Sequence, residues 1–262
     1  MKINLPCHFD IKYPKENRAY YSGAMSSQTM IRSILLNASN GYCMYCGTLL
    51  YVENMDISQI EHSVDKNGNK SQSEKISPLT NCKYNLSITC QNCNMKYKKQ
   101  VKKIDLAGRF GKKCPKKCEK PCEEYKILRK QYIIDNSIIL QPQGILDEDV
   151  YYGVVYDTIK NMYGPNDDED DRNLFIQQHI IRFRLNGEKR SDNVIDICSD
   201  IVELYEMGVS NVDSLFEHIS KKKQVNVIGK EFIQKLRYLF PKRQVEELVE
   251  YCRMTVICSA WI

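Results

Sequence analysis

The chain has no apolar run near the roughly 20 residues that a membrane-spanning helix needs. Its amino terminus, Met1-Lys2-Ile3-Asn4, lacks the long apolar core of a secretory signal. Both absences predict a cytoplasmic protein with no membrane attachment. No internal repeat is present. Histidine is scarce, four in 262 residues, so any histidine beside an acid stands out. Cysteine, by contrast, is plentiful. Twelve cysteines in a secreted domain would suggest a disulfide framework, but this chain is long and rich in Lys, Ile and Asn, and its cysteines cluster in short-spaced pairs. Metal binding is the expectation.

The net charge of +5 hides an asymmetry. Residues 1–130 hold 23 Lys/Arg against 11 Asp/Glu, and residues 131–262 hold 15 against 22. The basic half suggests a polyanion such as nucleic acid, and the acidic half a different partner. A boundary near 130/131 is therefore expected, with the basic part in 1–130 and a mainly α-helical part in 131–262. In the second part "NLFIQQHIIRFRL" at 173–185 spaces its apolar residues three and four apart. "SDNVIDICSDIVELYEMG" offers Ser191 as N-cap, an apolar face of Val194, Cys198, Ile201, Val202 and Tyr205, and Gly208 as a stop. Two further helices are predicted over 228–240 and 241–253, the second with Pro241 at its start. His179 and His218 have no spaced ligand nearby and read as structural. Cys198, Cys252 and Cys258 sit among apolar residues and read as core.

Two knuckles dominate the first half. "YCMYCG" gives Cys43-x2-Cys46 and "TCQNCN" gives Cys90-x2-Cys93, separated by 43 residues. Four thiolates at this spacing suit tetrahedral, structural Zn²⁺, with no open position for water. A further trio, Cys114, Cys118 and Cys122, is interrupted by Pro115 and Pro121, which favours a loop. It could hold a second zinc if Cys82 or Cys7 came close.

Between the knuckles runs "ISQIEHSVDK". Ile57, Ile60 and Val64 suit a strand, and Glu61-His62 places a carboxylate beside an imidazole. Asn85 follows in "YNLSITC", and Asn94 comes directly after Cys93. A neutral imidazole near pH 7 can accept a proton. This constellation over residues 40–100 resembles the HNH endonuclease family. The resemblance implies an α+β chain with a ββα-metal finger: a β-hairpin carrying Glu61-His62, packed on a helix that begins near Asn94. It also implies catalytic roles for His62 and Asn85, Asn85 holding the His62 loop in place, and a catalytic Mg²⁺ or Mn²⁺ bound by Glu61 and the side-chain carbonyl of Asn94. Many family members follow "CN" with two residues and then Lys. Here that position is Tyr97, flanked by Lys96 and Lys98, which become the candidate phosphate contacts together with Lys112, Lys113, Lys116 and Lys117 of the basic arm.

The phrases "QIEH" and "NL…CN" are more narrowly similar to the HNH nucleases of Septu and retron-type phage-defence systems, which associate with an ABC-type ATPase. Two departures are that "IEHSVDK" has no proline soon after the histidine and that Tyr84 stands where tryptophan is common. The resemblance implies a defence nuclease acting on nucleic acid, DNA favoured over RNA, with an ATPase docked on the helical half. The alternatives are a non-catalytic zinc module that binds nucleic acid and a stand-alone restriction or homing nuclease.

Overall fold

The computed structural model describes residues 1–65, 77–98, 117–136, 153–166, 173–187, 192–222, 225–241 and 244–259. The chain is a mixed α/β protein with small sheets and eight helices among these residues. None of the helices is long and apolar enough to cross a membrane.

The first strand, β1 (Lys2–Leu5), alternates exposed and buried residues so that Ile3 and Leu5 point inward. It pairs antiparallel with β6 (Val154–Asp157), Lys2 opposite Asp157 and Leu5 opposite Val154. That strand turns through Asn161, at φ +47°, into β7 (Met162–Pro165). Helix α1 (Met25–Ala38) buries Ile31 and Leu35. Next come the short strands β2 (Tyr51–Val52) and β3 (Met55–Asp56). They are joined by Glu53 and Asn54 at φ +49° and +65°, the two left-handed residues that a tight hairpin turn requires.

Strand β4 (Gln59–His62) pairs antiparallel with β5 (Leu86–Thr89), His62 opposite Leu86 and Glu61 opposite Ser87. Helix α2 (Ser77–Asn81) and a 3₁₀ turn at Lys83–Asn85 precede β5, and a π-helical turn at Asn92–Tyr97 follows it. Helix α3 (Glu123–Asn136) packs Tyr125, Leu128, Tyr132 and Ile133 against Val64, Leu79 and Tyr84 in a smaller core of its own.

The helices read from periodicity are present as α4 (Asn173–Arg182), α5 (Asp192–Glu206), α7 (Val227–Leu239) and α8 (Val245–Ser259). The last begins four residues beyond Pro241, because Pro241 accepts a turn hydrogen bond from Gln244 N–H instead of opening the helix. Helix α6 (Val212–Lys222) lies between them. Residue 130 is not a break in the core. One cluster runs from Ile3 and Leu5 through Ile31, Cys43 and Ile88 to Ile197, Phe232 and Cys252, and β1 of the basic half is a strand of the sheet completed by β6 and β7. The two halves differ in charge but bury their apolar faces together.

Candidate functional site

Cys43, Cys46, Cys90 and Cys93 are all buried, and their Sγ atoms lie within 4.8 Å of one another. None of the four is disulfide-bonded. The Cys46 and Cys90 sulfurs are 3.8 Å apart, far beyond a disulfide bond. Four sulfurs on a tetrahedron about 2.3 Å from a central ion are about 3.8 Å apart, so the cluster has the dimensions to hold a metal such as zinc. Burial pushes the Cys43 and Cys93 thiols up, so a bound cation must displace their protons.

The turn geometry explains why "CMYCG" makes a knuckle. Gly47 sits at φ +69°, and a Cβ there would meet Val227 Cγ1 at 2.4 Å, so only glycine fits. Gly47 N–H donates to the Cys43 carbonyl, and the Gly47 carbonyl accepts from Val227 N–H of α7 at 2.9 Å. Tyr45, between the two ligands, stacks on Phe183 at 4.7 Å, and its carbonyl lies 3.0 Å from His179 Nε2. His179 therefore braces the first knuckle from α4. His218 is exposed, with Nδ1 2.8 Å from the Ser214 carbonyl of its own helix.

His62 is buried at the end of β4, and its Nε2 lies 3.0 Å from the Thr80 carbonyl. A carbonyl only accepts, so this nitrogen carries the proton, and a neutral ring has its lone pair on Nδ1. The edge-to-face packing of Tyr21 at 4.3 Å fixes the ring from another side. Asn85, fully buried, donates to the carbonyls of Val64 and Leu79 at 3.0 Å and accepts from Val64 N–H at 2.7 Å. It ties the segment just after His62 to α2.

Glu61 differs from the expectation. Successive side chains on a strand point to opposite faces, so the Glu61 carboxylate and the His62 ring, adjacent on β4, meet different neighbours. Its Oε2 accepts from Tyr45 Oη at 2.9 Å and from Ser87 Oγ at 2.7 Å, while Lys98 Nζ donates to Oε1 and also to the His62 carbonyl. Burial holds the Tyr45 phenol well above its ordinary range, which keeps it a donor. Both carboxylate oxygens are thus engaged by the chain itself. Asn94, half-buried, spends its amide nitrogen on Gln59 Oε1 at 2.8 Å. As placed, the Lys98 ammonium already fills a cation's position on Glu61, while the Asn94 bond to Gln59 engages its amide nitrogen and not the carbonyl expected to bind the ion.

Lys98 also departs from its expected role as a phosphate contact. It is buried, and its ammonium is committed to the Glu61 carboxylate and the His62 carbonyl, so in this arrangement it does not present its charge to a phosphate. The cause is local. In the π-helical turn Lys98 N–H bonds the Cys93 carbonyl, five residues back rather than four, and the extra residue rotates Lys98 inward. Burial pulls the Lys98 ammonium pKa down, and the Glu61 carboxylate against it is what favours the charge.

Removing one partner leaves an uncompensated buried charge. Glu61→Ala is therefore expected to lose about 3–5 kcal/mol, seen as an early unfolding midpoint in urea. The Glu61→Leu/Lys98→Met pair is expected to recover much of that loss. A single variant as stable as the parent would show that the pair is open to water.

Of the remaining candidates, Lys96 and Lys117 are exposed, and Lys112, Lys113, Lys116 and Cys114 lie outside the described residues. The Cys43 cluster is the one group of possible metal ligands among the described residues. Cys118 Sγ donates to Asn17 Oδ1 at 3.0 Å and Cys122 is exposed, so the described cysteines do not assemble a second such group. Cys198 and Cys252 are buried core residues of α5 and α8, and Cys258 is half-buried. Sequence reasoning missed Tyr21, Thr80, Ser87 and the Glu61 contact of Tyr45, of which only Tyr45, inside a knuckle, carried a local signal; His179, read as structural, is placed so, as a brace of the first knuckle. Comparison with protein-family models, curated proteins and solved structures finds no match.

Proposed function

We propose that this chain is an endonuclease of the HNH type that hydrolyses phosphodiester bonds, with His62 taking the proton of the attacking water. The observation that carries the reading is the His62 ring itself: with Nε2–H directed to Thr80, the lone pair of the neutral imidazole falls on Nδ1, the state a general base needs near pH 7. Support also comes from the three bonds by which Asn85 ties down the following loop. The antiparallel β4–β5 pair running into a helical turn, and the cysteine cluster beside it, with zinc as its ion, add to that support. Exposed Met207, Tyr238, Leu239, Met254 and Ile257 on or beside α5, α7 and α8 support a protein partner for the helical half. An ABC-type ATPase of a phage-defence system is the partner we assign.

The engagement of Glu61 by Lys98 favours a second reading, a zinc module that binds nucleic acid without cutting it. Incubating the full chain with supercoiled plasmid and with tRNA, in Mg²⁺, in Mn²⁺ or in chelator, separates the two. The nuclease reading expects cleavage that stops in chelator and is strongest on DNA. Binding with no cleavage in either ion would leave the second reading standing.

A further inference from the structure

Three described helices end in the same motif. After α1, Gly41 N–H bonds the Leu36 carbonyl and Asn40 N–H that of Asn37. After α4, Leu185 N–H bonds Ile180 and Arg184 N–H bonds Ile181. After α5, Val209 N–H bonds Leu204 and Gly208 N–H bonds Tyr205. Each is a Schellman cap, whose penultimate residue must be left-handed. That residue is Asn40 at φ +52°, Gly208 at φ +95° and Arg184 at φ +50°. Asparagine and glycine tolerate the conformation. Arginine does not share that tolerance, so the side chain at 184 sits against a backbone preference.

What the side chain does there is visible. The Arg184 guanidinium lies 5.7 Å from the centroid of the Tyr97 ring, and Lys96 Nζ lies 5.8 Å from the same centroid. Lys96 and Arg184 are exposed and Tyr97 is half-buried. Tyr97 ends the π-helical turn that carries both Cys93 and Asn94. Phe183, fully buried against Tyr45, anchors Arg184 beside that turn. Two cations drawn from opposite halves of the chain thus share one aromatic ring next to the candidate site.

We infer that Arg184, with Lys96 and held by Tyr97, forms a phosphate-binding patch for the backbone of a DNA substrate, so that the acidic helical half also contributes to substrate binding. The planar guanidinium suits a phosphate's paired oxygens, and an aromatic ring pre-orients it. The inference rests on the nuclease reading. A purely structural role for Arg184 is available in the helix dipole, which favours a cation at a helix C-terminus. That role predicts an effect on stability and none on binding.

The test uses the full chain as His62→Ala, so that bound substrate is not cut, with fluorescence anisotropy on a labelled DNA duplex at several salt concentrations and an RNA hairpin as a second arm. Arg184→Gly places the preferred residue in the cap, so the fold is kept. Losing one phosphate contact is expected to flatten the salt slope by about 0.9 on the duplex and to weaken binding about fivefold at 0.15 M salt, with 1 M as reference. Arg184→Lys, which keeps the charge, is expected to restore most of the slope. Parent binding with an unchanged slope in Arg184→Gly overturns the patch while leaving the nuclease reading intact. A slope change on the RNA hairpin alone overturns the assignment to DNA. No binding by the parent to either probe overturns the nuclease reading and the patch with it.

Discussion

Cys43→Ser and Cys90→Ser are each expected to remove bound metal and most of the soluble, folded protein together. The four thiols join segments that are distant in the chain: the knuckle after α1 and the knuckle that runs from the end of β5 into the π-helical turn. The consequences reach the helical half as well. Tyr45, inside the first knuckle, holds His179 and Phe183 of the α4 region, and Gly47, just after it, holds Val227 of α7. Structural zinc in small domains contributes about 10–16 kcal/mol of apparent binding energy at pH 7, comparable with the whole stability of a typical domain, about 5–15 kcal/mol. Losing one ligand is therefore enough to leave the chain short of folding. Metal analysis and thermal unfolding of purified protein check this. A Cys43→Ser variant with the parent's yield and midpoint, and no bound metal in the parent, would show that the cysteines only fill the core.

The cysteine cluster was legible because the CxxC spacing is a local constraint on two turns, and Gly47 after the first pair fits the left-handed turn found there. Helices α4, α5 and α7 were legible for a similar reason: their apolar faces repeat within the segment, and Gly208 stops α5 where expected. The partners of Glu61 were not legible. They lie 16, 26 and 37 residues away at Tyr45, Ser87 and Lys98, and adjacency to His62 in sequence suggested a shared site although strand alternation separates the two side chains. Lys98 was misread because one extra residue in a helical turn moves a side chain from the surface to the interior, and no local pattern announces it. Charge asymmetry suggested two independent halves. Burial decides otherwise, since the β1–β6 pairing and the common core join residues more than 150 positions apart. The turn at Arg184 went unnoticed because glycine is the usual sequence signal for such a cap, and here it is absent.

The most direct test of the account is the cleavage rate of His62→Ala beside the parent chain, on the same DNA and in the same Mg²⁺ or Mn²⁺. The substitution removes the proposed proton acceptor and its bond to Thr80 but none of the sulfur ligands, so metal content is expected to match the parent. General base catalysis is worth about 10²–10⁴-fold, and a loss in that range with bound zinc unchanged is the predicted result. Cleavage by His62→Ala at the parent's rate would contradict the assignment of His62 and, with it, the reading of this chain as an HNH nuclease.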